Sequence, residues 1–374
     1  TRPYYAFYVQ DDWKLARTLT LNLGLRYEVQ VPWKERFNQS NRGFNLTVKN
    51  PLSDAVLANW AKIKAEYDAQ NPKYPFPDAP PVLTGGFQFA GVDGQPERLY
   101  DTDWTNVAPR IGIAWQIRPT TVLRAGAGVY YQSPTQTNTT NGFAQQTDYV
   151  SSIDGMTPSA GASLSGRYSL VDPFPDGILQ PPGASAGLLT NIGRSIGWDP
   201  PGFKIPRTYQ YSFGFQQQLP GGIVAEASYA GNYQIYINLS TNLNHMSLAD
   251  YKIAYSDTGY DSTQIPNPFY GILPRNGGLG QNPTINRGAL LRPNPIFQDM
   301  TNYLTQWGRY RSDALQVKIE KKLLQGSGTG VLTWVLSYTF SKAFEENHRL
   351  NDWNLDEPLV KELDYQDKPH MLSF

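Results

Sequence analysis

"RTLTLNLGLRYEVQVPW", residues 17–33, decides the fold. From Leu19 the odd positions are Leu19, Leu21, Leu23, Leu25, Tyr27, Val29 and Val31. The even positions are Thr18, Thr20, Asn22, Gly24, Arg26, Glu28 and Gln30. Such strict alternation specifies a β-strand with one apolar and one polar face. The stretch is about twice the usual strand length of roughly 5–6 residues. In a soluble sheet the apolar face would meet a core and the polar face bulk water. Here the polar face carries Arg26 and Glu28, and nothing nearby in the sequence offers a core for the apolar face.

The pattern recurs along the chain. The apolar sets are Tyr5, Phe7 and Val9 in 4–12, Val107, Ile111, Ile113, Trp115 and Ile117 in 106–117, and Leu123, Ala125, Ala127, Val129 and Tyr131 in 121–132. They continue with Tyr209, Tyr211, Phe213 and Phe215 in 207–219, and Ile223, Ala225, Ala227, Tyr229 and Tyr233 in 222–236. Leu315, Val317, Ile319 and Leu323 in 313–323 and Leu332, Trp334, Leu336, Tyr338 and Phe340 in 331–344 complete the set. A ninth strand is expected to begin near His370. The connections alternate in length. The short ones are "DWKLA", "RPT", "LPGG" and "LQGSGTG", rich in turn formers. The long ones cover about 33–104, 133–206, 237–311 and 345–366, and most far exceed the usual roughly 4–6 residues.

Antiparallel strands linked this way put all short turns at one end and all long loops at the other, as in an outer-membrane barrel with short periplasmic turns and long extracellular loops. Lipid then receives the apolar faces and the lumen the polar ones. Backbone groups in lipid must all be paired, so spanning strands close into a barrel, and each needs about 9–11 residues to cross. The fold class expected is therefore all-β, an antiparallel transmembrane barrel segment of about nine strands. Trp13, Trp115, Phe215 and Trp334 lie near short turns, and Tyr5, Tyr27, Tyr131, Tyr209, Tyr229 and Tyr338 toward the long loops, which predicts two interfacial aromatic girdles. In the first long loop, Leu52, Val56, Trp60, Ile63 and Tyr67 recur at helical spacing between Pro51 and Pro72, which predicts an extramembrane helix over 52–68.

Composition bounds the function. The 374 residues have a formal net charge of +0, which argues against a nucleic-acid partner, since phosphate binding needs a basic surplus. Cysteine is absent, so no disulfide framework or thiolate metal site is available. Charged residues make up only 17% and aromatics 13%, which suits a surface partly out of water. "TRPYYAFYVQ" opens inside a strand pattern without the features of a signal peptide, so a piece of a longer product is expected.

Catalytic chemistry is not expected. His245, His348 and His370 are widely separated and lack metal-helix spacing, and no nucleophile, base or phosphate loop stands in its required context. No catalytic, cofactor-binding or metal residue is assigned and no cofactor is implied. Asp101 and Asp103, and the group Asp352, Asp356, Glu357, Glu362, Asp364 and Asp367, could bind calcium, but carboxylates of this kind are more often solvated or paired with neighbouring Lys and Arg.

Four segments carry a family resemblance: "FYVQDDWKLARTLTLNLGLRYEVQVPW", "APRIGIAWQIRPTTVLRAGAGVYYQ", "YQYSFGFQQQLPGGIVAEASYAGN" and "DALQVKIEKKL…LTWVLSYTFSKAFEE". In this order they resemble strands of TonB-dependent outer-membrane receptors, especially the Oar-like branch. The resemblance implies a barrel of 22 strands filled by an N-terminal plug. It also implies a segment that recruits the energy-coupling protein TonB and, in Oar-like members, often a carboxypeptidase-regulatory-like domain in front. None of these parts is recognisable here, so the whole of 1–374 is expected to be a partial barrel domain in the bacterial outer membrane, with plug and signal peptide absent. The function implied is capture of a solute at the extracellular loops and energised passage across the membrane. The solute class is open between peptide or protein, oligosaccharide and metal chelate. A passive porin-like channel, or a surface adhesion or assembly barrel, is the alternative, and upstream sequence would discriminate.

Overall fold

A computed structural model describes residues 3–70, 72–132, 142–143, 178, 180–274, 278–322 and 333–374. Nine wall strands follow in chain order: β1 (Tyr4–Ala16), β2 (Leu19–Gln30), β3 (Val107–Arg118), β4 (Thr121–Tyr131), β5 (Arg207–Leu219), β6 (Ile223–Asn242), β7 (Met300–Lys322), β8 (Thr333–Glu346) and β9 (His370–Ser373). Each pairs antiparallel with the next, so sheet order equals chain order. Glu362–Leu363 also pairs with β8, and Ile196–Trp198 lies parallel to the outer end of β7. Among the described residues no helix is long and apolar enough to cross a membrane, which says nothing about strands.

The register carries the alternation from strand to strand. Leu21 pairs with Ile113, Ile113 with Ala125, Ala125 with Phe213, Phe213 with Tyr229, Tyr229 with Leu315 and Leu315 with Phe340. Paired residues share a face of the sheet, so the apolar positions form one continuous surface. Phe7, Leu23, Leu25, Ile111, Trp115, Phe213 and Leu315 on that surface are all exposed. A sheet this apolar on its outside needs an apolar solvent, because each exposed large side chain in water forfeits about 1.5–3 kcal/mol.

Two boundaries differ from the sequence reading. "DWKLA" is not a turn. β1 runs through it to Ala16, with Trp13 paired to Leu21 and a bulge between Lys14 and Ala16, and Arg17 and Thr18 make the turn. The hairpin closes in two residues because the alternation persists through Trp13. On the other side of the wall, β6 and β7 reach well into the stretch 237–311, leaving 243–299 between them. Their outer halves lack a continuous alternation because three register shifts between Asn302 and Arg309 break the two-residue period. Tyr236, with φ of 61°, breaks it in β6. The turns at 119–120 and 220–222 fall where expected; Gly221 and Gly222 take φ of 78° and 75°, open to glycine without strain. The "LQGSGTG" turn lies outside the described residues.

The hydrophobic core is not in the wall. It sits in the long connections, where Phe44, Val56, Trp60, Phe76, Phe87, Ile265, Phe269, Ile296 and Phe297 are buried together. The helix expected over 52–68 is present as α1 (Ser53–Asp68), burying Val56 and Trp60 with Ile63 and Tyr67 packed alongside. A two-stranded ribbon, Asn41–Lys49 with Thr84–Phe89, adds Phe44 and Phe87 to the same core, and their rings meet edge to face at 5.3 Å.

Candidate functional site

Two surfaces can meet a solute: the polar face of the wall and the cap built by the long connections. On the polar face, Asn22 pairs with Gly112, Gly112 with Gly126, Gly126 with Ser212, Ser212 with Ala230 and Ala230 with Ala314. This small-residue row floors a groove of about 620 Å³, edged by Gln10, Asn22, Arg110, Tyr130, Gln210 and Asn232. In the adjacent row a Cβ on Gly128 would sit 3.2 Å from the side chains of both Arg110 and Tyr130, which would have to yield by a few tenths of an ångström. Arg110 in turn lies over the Tyr130 ring at 4.7 Å, a cation–π contact that anchors the guanidinium. The face has no surplus of one charge, since Arg26 bonds Glu28 and Lys318 bonds Glu320. It can offer hydrogen bonds to a polar occupant.

The cap is assembled by contacts between connections far apart in sequence. Asn59 donates to the carbonyl of Pro268 at 2.8 Å, Asn294 to that of Thr84 at 2.8 Å, and Asn50 to those of Gly85 and Leu188. Arg287 is buried, donates to the carbonyls of Pro75 and Tyr260, and lies over the Tyr260 ring at 4.2 Å. Lys73 and Tyr74 both donate to Asp257, bonds that hold its carboxyl below the usual carboxylate range. These links join the first long connection to the second, through Leu188, and to the third, through Asp257, Arg287, Pro268 and Asn294, in one packed body.

Asp103 fastens the cap to the rim. It is buried, and burial alone would raise its pKa. Donation from the Thr105 hydroxyl and amide and the Ile205 amide, with Lys204 at 3.4 Å, outweighs this and holds the carboxyl below its usual range. The sequence reading grouped Asp103 with Asp101 as an open calcium question. The structure engages both otherwise, Asp101 bonding the buried Arg42. The second acidic group is spread out: Asp367 accepts from the Ala343 amide, Asp364 from the Gln366 amide, and Glu362 lies 3.4 Å from His348. Among the described residues no set of His, Asp or Glu is grouped to hold a metal ion. The three histidines stay apart; His245 stacks on Trp353 at 4.8 Å and burial lowers its pKa, while His370 bonds the Tyr338 hydroxyl.

An open meander of long strands, apolar on one face and polar on the other, defines the class: a bacterial outer-membrane barrel protein. The family described as outer membrane beta barrel domain matches residues 1–369, and the chain belongs to it. No curated protein sequence matches the chain. Among solved structures it is similar to the outer membrane transporter YddB from Escherichia coli, at 9% identity and a TM-score of 0.34, over 92% of this chain and 34% of that one. It is also similar to the FrpB iron transporter from Neisseria meningitidis, at 13% and 0.31, over 94% and 38%. A mutant of the ferric enterobactin receptor PfeA from Pseudomonas aeruginosa aligns at 11% and 0.31, over 91% and 38%. The chain spans about a third of the length of these proteins.

Proposed function

We propose that the chain is a section of the wall and mouth of a TonB-dependent outer-membrane transporter of the Oar-like branch. Its long connections then face outward and capture a solute, which passes over the polar face across the outer membrane with energy from TonB. The observation that carries this reading is the packed cap. Loops that merely closed hairpins would be short, and ordering the described residues of 243–299 between β6 and β7 costs roughly 1–2 kcal/mol of backbone entropy for each. The cap meets that cost with its own core of buried aromatics, and a rigid body at a barrel mouth is what recognition requires. The polar groove below it, with its low floor, suits either a passing solute or the plug of a complete barrel. No catalytic role is assigned to any residue.

The proposal further holds that 1–374 is one partial barrel domain, with plug and TonB-contacting segment elsewhere in a longer product. A solute class is not chosen between peptide, oligosaccharide and metal chelate. The test is uptake by cells expressing the full-length protein, with and without 243–299, and with TonB deleted. Loss of capture on removing the segment and loss of uptake without TonB are expected. Uptake that survives TonB deletion would place the protein with passive channels, and capture that survives the loop deletion would remove the recognition role.

A further inference from the structure

Charged side chains cluster on the outward, apolar face along β7 and β8; Asp11, paired with Leu23, Arg207, paired with Tyr131, and Lys321, paired with Trp334, are further ones on that face. Leu23 pairs with Ile111, Ile111 with Ala127, Ala127 with Tyr211, Tyr211 with Gly231, Gly231 with Asp313 and Asp313 with Lys342. Asp313 and Lys342 therefore point to the same side as Leu23. The next rows toward the long connections place Arg311 beside Phe344 and Arg309 beside Glu346.

The tilt of the strands says where this patch lies. Outward tyrosines step across the sheet from Tyr27 on β2 to Tyr338 on β8. Tyr338 lies in the row of Leu19, because Leu19 pairs with Trp115 and the row continues through Leu123, Phe215, Ala227 and Val317. The band thus descends from residue 27 to residue 19 of β2 register, eight residues or about 26 Å, while crossing six strand spacings or about 29 Å. That slope corresponds to a tilt of roughly 40°, within the range of membrane barrels, so the tyrosines mark one level, the interface. Lys342 lies four residues beyond Tyr338 on β8, roughly 13 Å along the strand. The charged patch is outside the hydrocarbon, at the height of lipid headgroups, on the long-loop side.

We propose that this patch binds a phosphate-bearing lipid headgroup against the outer wall. Asp313 accepts from the hydroxyls of Tyr211 and Tyr229 and from Arg311 Nε at 2.7 Å. Its carboxylate is therefore occupied, and its bond to Nε fixes the Arg311 guanidinium on the outward face. Lys342 is exposed beside it. Arg309, 3.7 Å from Glu346, and Lys361, over the Phe344 ring, complete a groove of about 430 Å³ whose floor is the aromatic pair Tyr209 and Tyr233. Four cations face two carboxylates, a surplus that suits the doubly charged phosphate of a headgroup, with ring faces beneath for the acyl-proximal part. This site depends on the outer-membrane wall and not on transport, so its failure and that of the proposed function are separable.

The test is binding of bis-phosphorylated lipid A, and of its dephosphorylated form, to the intact purified protein by native mass spectrometry. Each basic residue near an anionic surface contributes about fivefold, so Arg311→Gln with Lys342→Gln is expected to weaken lipid A binding about 25-fold. The same pair of changes at the polar-face residues Arg110 and Arg124 is expected to leave it unchanged. Lys342→Gln alone, at an exposed position, reads the site if the double variant does not fold. Equal binding by variant and wild type, equal binding of the dephosphorylated lipid, or equally tight binding of inorganic phosphate would each overturn the proposal.

Discussion

Leu23 and Asp313 occupy the same row and the same face of the sheet, linked by five consecutive strand pairs. With strands tilted by roughly 40°, five spacings lift Asp313 by about 15 Å relative to Leu23. Leucine therefore lies in hydrocarbon and aspartate above it, without any change of face.

Leu23→Arg is accordingly expected to destabilise the protein by about 2–4 kcal/mol, the cost of a basic residue on the lipid face near the midplane. Asn22→Arg, one residue away on the polar face, is expected to cost under ~1 kcal/mol. Urea titration in lipid vesicles measures both. Equal costs would mean that the two faces are wrongly assigned.

Gly231 allows Tyr211 to reach Asp313. A Cβ there would lie 2.1 Å from the tyrosine ring, so Gly231→Ala must displace the ring and break its bond to the carboxylate. Tyr211→Phe removes the same bond. Each change is expected to cost about 1.5–3 kcal/mol, the worth of a hydrogen bond to a charged group. Because both act on one interaction, the double variant is expected to cost little more than either single one. Strict additivity in the double-mutant cycle would reject the arrangement.

Trp60 is fully buried in the cap and donates from its indole nitrogen to the carbonyl of Pro77 at 2.9 Å. Trp60→Ala is expected to cost the cap about 3–5 kcal/mol. The wall shares few of these contacts, so protease should cut within the long connections while the strand signal in circular dichroism persists. Simultaneous loss of both would show that cap and wall fold as one cooperative unit.

Asp103 makes the cap acid-sensitive. Its folded pKa lies below the usual value of about 3.9. A depressed carboxylate contributes stability that is fully present above the unfolded pKa and disappears as pH falls through the folded value. Amide exchange at Thr105 and Ile205, whose amides donate to Asp103, is expected to accelerate relative to the rest of the cap below about pH 4. Asp103→Asn is expected to abolish that acid dependence. Identical pH profiles for variant and wild type would sink the assignment.

The sequence by itself determined the wall and its environment. Alternation such as that of 19–31 is a local property: each residue's face follows from its parity, and lipid is the solvent that accepts an outside of Leu, Ile and Phe. The spacing of Val56, Trp60 and Tyr67 likewise sufficed for α1. Where the two-residue period broke, between Asn302 and Arg309 and at Tyr236, the outer halves of β6 and β7 could not be read, because a bulge reverses the parity on which the reading depends. Only the tertiary structure decided how the long connections join into one cap. Asn59 meets Pro268 and Asp103 meets Ile205 across more than a hundred residues, and no local pattern encodes such partners. It alone also brought Asp313 and Lys342 together in the row of Leu23, since a row across the sheet depends on the register of every strand pair and not on any one strand's sequence.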